Sequence, residues 1–280
     1  SVYAILEDKE NSLWLGTSGH GLIHIKLEKN AEGILKVGYF RQYLSGKQNG
    51  PANDIIYALS NGDDDRLWIA CRYGGLSVLD KKTGRFKTFK AFSSPNSLSN
   101  NDVLSLYKDK SKRLWIGTSY GLNMLSEEES LKENPIFKKF RMTDGLPNNT
   151  IHAIEEANSG NIWVSTNKGL ARLNPVDGAI ASFRESDGLQ SNEFSDGAVW
   201  KSASGALYFG GIYGFNYFMP ERITENRVQP NLLVSGIQLG GKNLDENRLQ
   251  VLKTVQGTVP EYTVPRKSNF FQLSLKPMSF

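Results

Sequence analysis

Short runs of alternating apolar and polar residues recur along most of the chain, in groups that polar turns separate. One phrase marks each group: an aliphatic residue, an aromatic residue, a second apolar residue and then two small residues. Four copies carry tryptophan and a fifth, weaker copy carries tyrosine, at residues 13–17, 67–71, 114–118, 162–166 and 207–211. Regular recurrence of one phrase at this spacing indicates a repeat protein.

The segments around each phrase predict β-strands. A short turn follows the phrase, and then a second apolar segment opens with glycine, which is typical of a β-hairpin. An alternating segment precedes the phrase, as in 55–59 and 103–107, and a further segment such as 86–89 follows most hairpins. Four antiparallel strands per unit are typical of propeller blades. We therefore predict an all-β fold, a partial β-propeller of five four-stranded blade repeats, with the tryptophans wedged between neighbouring sheets.

The repeat stops near Pro230, and the remaining residues read as separate strands at 232–239, 262–265 and 270–275. We predict blades over residues 1–226 and the truncated start of an Ig-like β-sandwich over 227–280. An alternative is that 232–239 completes the outer edge of the last blade. Because Ser1 lies inside a strand pattern and Phe280 inside an apolar run, we expect the chain to be cut from a longer protein with more blades upstream.

Composition excludes several classes of partner. The net charge of +4, from 33 basic and 29 acidic residues, is small and dispersed, so no nucleic-acid partner is expected for this segment. The single cysteine, Cys71, excludes an intrachain disulfide and a cysteine-based metal site. No apolar run is long enough to cross a bilayer. Contact with a membrane is therefore expected only through the parent protein.

The motifs resemble a known family. Phrase 114–118, with Asp109 before it and Gly121 and Leu122 after it, is similar to the blade phrase of two-component regulator propeller repeats. These repeats occur in the sensor region of hybrid two-component histidine kinases of Bacteroidetes. Segments 144–149 and 187–192 resemble the inter-blade phrase of the family, and 211–220 resembles its last blade. Residues from Pro230 resemble the first strands of the Ig-like domain named Y_Y_Y.

The resemblance implies a periplasmic sensor of an oligosaccharide released from a glycan, or of another small ligand. The signal would pass through the Ig-like domain to a cytoplasmic histidine kinase, in an inner-membrane protein that forms a homodimer. Its kinase, receiver and DNA-binding modules would lie outside this segment. The chain itself is expected to have no catalytic residue, no metal site and no cofactor.

Strand direction places the hairpin after each phrase and the loop to the next blade on one face of the propeller. Aromatic rings, amides and charges on such a face suit a sugar, which needs stacking and directional hydrogen bonds. Asparagines before a strand also commonly cap turns, and the charges of Arg72 and Lys168 are either solvated or favour an acidic sugar. The candidate ligand-binding residues are His20, Arg72, Tyr73, Tyr120, Asn149, Lys168, Asn192 and Tyr213.

Two other classes remain as alternatives. A propeller glycosidase or lyase needs two facing carboxylates or a metal-supported histidine and glutamate. The inner strands supply no regular acidic residues, and His20, His24 and His152 lie on different repeats without ligand spacing. A protein-interaction scaffold of the WD-repeat type would show tryptophan followed by aspartate, whereas an apolar residue follows each tryptophan of the phrase here.

Overall fold

The structure of the chain is a computed structural model. It describes residues 1–8, 12–47, 49–62 and 65–223, and the later segments 231–239, 242–243, 249–254, 257–262 and 271–278. The chain divides into two compact units, Ser1–Ile223 and Thr224–Phe280. The boundary predicted between residues 226 and 227 lies outside the described residues.

Five antiparallel sheets follow one another in the first unit, and each is built from consecutive strands. The first two sheets comprise β1 Val2–Glu7, β2 Ser12–Thr17, β3 Leu22–Lys29 and β4 Leu35–Tyr43, then β5 Ile56–Asn61, β6 Arg66–Cys71, β7 Gly75–Asp80 and β8 Arg85–Phe89. The next two comprise β9 Val103–Lys108, β10 Leu114–Thr118, β11 Gly121–Leu125 and β12 Lys138–Phe140, then β13 Ile151–Glu156, β14 Ile162–Thr166, β15 Gly169–Leu173 and β16 Ile180–Phe183. The fifth comprises β17 Phe194–Lys201, β18 Leu207–Gly211 and β19 Gly214–Phe218.

The sheets are the blades of a propeller, because the first strands of consecutive sheets contact one another in chain order. The predicted all-β propeller with five blades is confirmed. Four strands per blade are found in blades 1–4, whereas the described residues of blade 5 form three.

Helical structure is confined to short connections. The single α-helical turn, α1 Glu127–Ser130, lies between β11 and β12, and the Ser126 side chain accepts the Glu129 N–H at its start. Arg66 Nη1 donates to the Ser130 carbonyl at 2.6 Å, which holds this turn against blade 2. Three 3₁₀ turns span Met142–Asp144, Glu185–Asp187 and Pro220–Arg222.

The phrase tryptophans are buried between neighbouring blades, with at most 3% of their surface exposed. Trp115 packs in one cluster with Ile154 and Val164 of the following blade. Leu114 and Ile116 point the other way, because side chains alternate along a strand, and they pack against blade 2. Each blade therefore completes the core of both neighbours, as the sequence predicts.

A buried carboxylate anchors the tryptophan in two of the blades. Asp109 accepts hydrogen bonds from Trp115 Nε1 at 2.8 Å, from Arg113 Nε at 2.6 Å and from the Arg113 backbone N–H at 2.9 Å. None of the Asp109 side chain is accessible to solvent. In blade 1, Asp8 accepts the Trp14 Nε1–H at 2.9 Å. The carboxylate thus ties the turn before the phrase strand to the indole that fills the core.

Blade 5 presents an aromatic face on the side away from blade 4. Leu207 and Phe209 pack against blade 4, so the intervening Tyr208 points the opposite way. Tyr208 stacks with Tyr217 and lies beside Trp200, and both of these neighbours are exposed. This face corresponds to the tryptophan-bearing faces that the next blade covers in blades 1–4.

The second unit contains β-strands throughout its described residues. They are β20 Asn231–Leu239, β21 Lys242–Asn243, β22 Leu249–Thr254, β23 Gly257–Tyr262 and β24 Phe271–Met278. β20 pairs with β21 and β24, and β22 pairs with β23, all antiparallel. The predicted strands at 232–239 and 270–275 correspond to β20 and β24, and residues 263–265 lie outside the described residues. The Ig-like assignment and the alternative that residues 232–239 complete the last blade both stay predictions.

Candidate functional site

The hairpins between second and third strands lie beside the inter-blade loops, on what we call the hairpin face. In blades 1–4 the hairpin glycine donates its N–H to a carbonyl of the loop that leads to the next blade. The four bonds, 2.7–2.9 Å long, run from Gly21 to Asp54, Gly75 to Asn101, Gly121 to Asn149 and Gly169 to Asn192. The two sets of loops predicted to share a face are therefore bonded to each other.

The hairpin position requires glycine for two reasons, its backbone conformation and the lack of space for a side chain. Gly169 has a φ of +103°, in the left-handed region that favours glycine. A Cβ added there would lie 2.0 Å from the Phe183 carbonyl oxygen. The close approach places the hairpin directly against the end of the outer strand, which fixes the position of the neighbouring loop residues.

The predicted site residues Asn149 and Asn192 use their side-chain oxygens to hold these loops. Asn149 Oδ1 accepts the Met142 N–H at 2.9 Å, and Asn192 Oδ1 accepts the Glu185 N–H at 2.9 Å. Asp54 and Asn101 make the corresponding bonds in blades 1 and 2, to Ser45 and Ala91. The turn-capping alternative thus describes what these oxygens do, and a ligand contact by either asparagine stays a prediction.

Replacing Asn149 by alanine is expected to lower the free energy of unfolding by about 0.5–1.5 kcal/mol, because the exposed turn loses an acceptor for the Met142 N–H. Thermal unfolding of the protein measures the change. Asn149→Asp keeps the acceptor oxygen and serves as the control, with a smaller expected loss. Equal stability of the alanine variant and the parent would show that water replaces this bond at no cost.

A β-bulge near the start of each innermost strand redirects one side chain or more. The register shifts between Val2 and Ala4 in β1, between Ile56 and Ala58 in β5 and between Ile151 and Ala153 in β13. A similar shift falls in β9, and β17 has a wider one between residues 194 and 199. Bulges re-aim side chains and are frequent next to functional sites. The residues that they displace, here called the bulge residues, include Tyr3, Tyr57, Leu104, His152 and Asp196.

The bulge residues contact one another between neighbouring blades. The Tyr3 and Tyr57 rings meet edge to face, with centroids 5.1 Å apart. His152 of blade 4 bonds to Asp196 of blade 5. These contacts extend the candidate site inward from the hairpins to the innermost strands.

The residue directly after each phrase lies beside the bulge residue of its own blade. In blade 2 the Arg72 guanidinium lies over the Tyr57 ring, 5.0 Å from its centroid. In blade 4 Asn167 Oδ1 lies 2.7 Å from His152 Nε2. The end of the second strand and the bulge of the first strand therefore form one surface in each of these blades.

His152 bonds to two oxygens that favour its charged form. Its Nδ1 lies 2.5 Å from Asp196 Oδ1, while Nε2 lies 2.7 Å from the Asn167 side-chain oxygen. Burial lowers the pKa of His152, but the hydrogen bonds to Asp196 and Asn167 and the charge of Asp196 together raise it above its ordinary value. The junction of blades 4 and 5 therefore carries a hydrogen-bonded histidine–carboxylate pair.

Arg72 and Tyr73, which are adjacent in the chain, also contact each other through their side chains. Arg72 Nη2 donates to the Tyr73 hydroxyl at 3.0 Å, and the guanidinium lies 4.9 Å from the centre of the Tyr73 ring. Tyr73 has a φ of +54°, a left-handed conformation that is uncommon outside glycine and that clusters at functional sites. Its N–H lies 3.3 Å from Asp102 Oδ1, which holds this conformation.

The other four hairpin candidates lie on separate blades. Tyr120 is half exposed, and the Arg141 guanidinium lies 5.0 Å from its ring centre. Lys168 and His20 donate their backbone N–H groups to Thr166 and Thr17, which leaves their side chains on the exposed surface. Tyr213 is the most exposed of the tyrosines at 79%. Within the described residues, the side chains of His20, Tyr120, Lys168 and Tyr213 make no contact with one another, so any joint role would need a ligand that spans several blades.

Sequence reasoning missed the bulge residues, although a signal was present. The innermost strands carry the same short pattern, in which a variable residue stands between an aliphatic residue and a small one: Val-Tyr-Ala, Ile-Tyr-Ala, Val-Leu-Ser and Ile-His-Ala, at residues 2–4, 56–58, 103–105 and 151–153. The variable residue is the one that each bulge displaces. Treating these strands as uniformly apolar hid that position.

The carboxylates that could support catalysis are already engaged. Asp102 and Asp196 contact Arg72 and His152 on the hairpin face. Glu155, at the other end of β13, is partly buried, and burial raises its pKa, while a hydrogen bond with Tyr107 acts in the opposite direction. Among the described residues, no group of three histidine, cysteine or acidic side chains is placed to hold a metal ion. In the same part of the chain, no helix has the length and apolar character that a bilayer requires.

Three segments of the chain match the family model described as two-component regulator propeller, at residues 1–19, 97–120 and 145–168. Each segment covers an innermost strand with its bulge and the following phrase strand. The second and third segments also contain the inter-blade loop and the hairpin residue, Tyr120 or Lys168. The motifs read from the sequence are therefore the ones that the family model recognises.

Two solved structures share the fold over nearly the whole chain. The extracellular domain of a putative hybrid two-component system from B. thetaiotaomicron is 24% identical, with a TM-score of 0.71 over 99% of this chain and 35% of that one. The extracellular domain of a putative one-component system from the same organism is 19% identical, with a TM-score of 0.66 over 98% of this chain and 35% of that one.

A curated relative adds a match at the level of sequence. Histidine kinase P4 of Formosa agariphila is 25% identical over 256 residues, which are 87% of this chain and 17% of the relative. The chain thus spans about a third of the solved domains and a sixth of the curated relative. The phrases and the blades of the chain agree with the three segments that match the two-component regulator propeller model.

Proposed function

We propose that the chain is part of the extracytoplasmic sensing region of a two-component system and that it binds an oligosaccharide on the hairpin face. The similarity to the extracellular domains of a putative hybrid two-component system and a putative one-component system supports the sensing role. The observation that carries the site is the convergence of bulge residues with hairpin tyrosines on one face. It gives a surface with aromatic rings, amides and charges next to one another.

The chemistry of this face suits a sugar better than a flat protein surface or a purely apolar ligand. Tyr73 and Tyr120 expose half or more of their surface, so each ring can stack on the C–H face of a pyranose. Asn167 and the groups around Arg72 supply directional donors and acceptors for hydroxyls. A binding site of this kind recognises shape through the rings and orientation through the hydrogen bonds.

The parent protein in this proposal is a periplasmic receptor anchored in the inner membrane, with the histidine kinase outside this segment. Its five blades belong to a larger propeller, and the Ig-like region passes the signal toward the membrane in a homodimer. The match to a histidine kinase over 17% of its length supports this arrangement. A chain of this kind senses and relays, while the covalent chemistry takes place in another domain.

Calorimetry with a panel of oligosaccharides, combined with analysis of the products, tests the proposal. A sensor binds a panel member and leaves it intact. Release of a shortened or unsaturated sugar would instead identify a propeller enzyme, and a panel without any ligand would contradict the proposal.

Replacing Tyr120 by alanine is expected to weaken oligosaccharide binding roughly tenfold, because a stacked ring contributes about 1 kcal/mol or more. Titration calorimetry measures the change. Tyr39→Ala is the matched control, because this tyrosine is also exposed but lies on the outer strand β4. The same affinity in both variants would remove Tyr120 from the site.

A further inference from the structure

Arg72 differs in charge from the residues that occupy its position in the other blades. The residue after the phrase is Ser18 in blade 1, Ser119 in blade 3, Asn167 in blade 4 and Ile212 in blade 5. Each of these is uncharged. Because this position lies beside a bulge residue, Arg72 places a full positive charge next to an innermost strand, within the candidate site.

The Arg72 guanidinium is held in a fixed orientation. It lies 5.0 Å from the Tyr57 ring centre and 4.9 Å from the Tyr73 ring centre, and it donates to the Tyr73 hydroxyl. Contact with two aromatic faces and one hydrogen bond restricts a side chain that is otherwise flexible. Little conformational entropy remains to be lost when a ligand binds to it.

Part of the guanidinium is still available to a ligand. Asp102 Oδ1 lies 3.8 Å from Arg72 Nε, beyond hydrogen-bond distance, and the same oxygen faces the Tyr73 N–H. Among the described residues, no atom accepts a hydrogen bond from Nη1 of Arg72. One third of the side chain is exposed. The guanidinium therefore has an open edge on the hairpin face, at Nη1, where its N–H groups can donate to a ligand.

A second carboxylate that acts on Arg72 through its charge, Asp196, already bonds to another side chain, with its Oδ1 2.5 Å from Nδ1 of His152. Asp102 forms an ion pair with Arg72 through Nε without a hydrogen bond to it. An oxyanion arriving at the open edge therefore meets Nη1 donors that neither carboxylate occupies.

We propose that Arg72 recognises an oxyanion, a carboxylate or a sulfate, on the saccharide, so that the ligand is an acidic oligosaccharide. This inference rests on the proposed function and narrows its ligand class. A guanidinium matches such a group with two parallel hydrogen bonds, which are stronger than bonds between neutral partners. A neutral sugar has no oxyanion to accept these two hydrogen bonds, so the guanidinium stays bonded to water when such a sugar binds.

Matched pairs of oligosaccharides test the inference by titration calorimetry on the protein. One arm uses uronate-containing oligosaccharides before and after reduction of their carboxyl groups, and the other uses sulfated oligosaccharides before and after desulfation. We expect an acidic member of one arm to bind at least tenfold more tightly than its neutral counterpart. Arg72→Gln should remove this difference, and Arg72→Lys should restore part of it.

Arg85→Gln is the matched control, since it removes the same charge from the exposed outer strand β8 of the same blade. Equal binding of acidic and neutral partners, or equal effects of Arg72→Gln and Arg85→Gln, would overturn the inference. If Tyr120→Ala weakens binding and Arg72→Gln leaves it unchanged, the proposed function stands and the acidic ligand is rejected. A panel in which nothing binds rejects both.

Discussion

Replacing Asp109 by alanine is expected to lower the free energy of unfolding by about 3–5 kcal/mol, among the largest effects for any single change in this chain. The carboxylate is fully buried and accepts three hydrogen bonds, from Trp115 and from the side chain and backbone of Arg113. Alanine leaves the indole N–H and the partly buried guanidinium without an acceptor. Chemical denaturation of the protein, followed by tryptophan fluorescence, measures the loss.

Asp109→Asn provides the control for charge and geometry. The Trp115 indole and the Arg113 guanidinium share one carboxylate oxygen, and the Arg113 backbone N–H uses the other. The amide keeps one acceptor oxygen and places an NH₂ group where the other stood, so it can satisfy the two side chains or the backbone N–H, but not all three. We expect a loss about half as large as that of the alanine variant. A change of less than 1 kcal/mol for alanine would mean that Arg113 moves to solvent and that the indole bond contributes little.

Replacing Gly169 by alanine is expected to cost several kcal/mol, through a combination of backbone strain and steric overlap. A left-handed φ of +103° is unfavourable for alanine by about 1–2 kcal/mol. The new Cβ would also lie 2.0 Å from the Phe183 oxygen, so the hairpin must move and its hydrogen bond to Asn192 lengthens. Thermal unfolding measures the stability of the variant.

Gly188→Ala separates the two contributions. Gly188 has a similar φ of +99°, but an added Cβ would meet nothing within 4 Å. This variant should therefore lose only the conformational part, about 1–2 kcal/mol. If both variants lose the same amount, the overlap at Gly169 relaxes without cost and the hairpin is less firmly fixed than its contacts indicate.

The blades could be predicted from the sequence because each phrase combines several local signals. An aromatic residue between two apolar ones marks the strand, and the glycine after it marks the hairpin, as at Trp115 and Gly121. The carboxylate anchor was less regular. Asp8 and Asp109 provide it, whereas Gly62 and Ala157 occupy the same place in blades 2 and 4, and Trp163 Nε1 has no partner among the described residues. In those blades packing alone holds the indole.

The candidate site was predicted only in part, for a physical reason. The hairpin residues could be placed on one face because strand direction follows from strand order. A bulge depends on the register with a second strand, so the recurring pattern of the innermost strands indicates a bulge only once that pairing is known. Tyr57 and His152 were therefore read as ordinary strand residues, although they lie beside Arg72 and Asn167. The turn-capping role of Asn149 and Asn192 was foreseen as the alternative to ligand binding, since both roles use the same amide.

The bulges also allow the residues of the candidate site to vary without a change in strand pairing. A bulged residue stands outside the cross-strand register, so exchanging its side chain alters no rung of the ladder between the first two strands. Tyrosine, leucine and histidine already occupy the equivalent place in different blades of this one chain. New ligand preferences could therefore arise, or be engineered, one blade at a time by exchanging a bulge residue such as Tyr57, while the pairing between the first two strands stays the same.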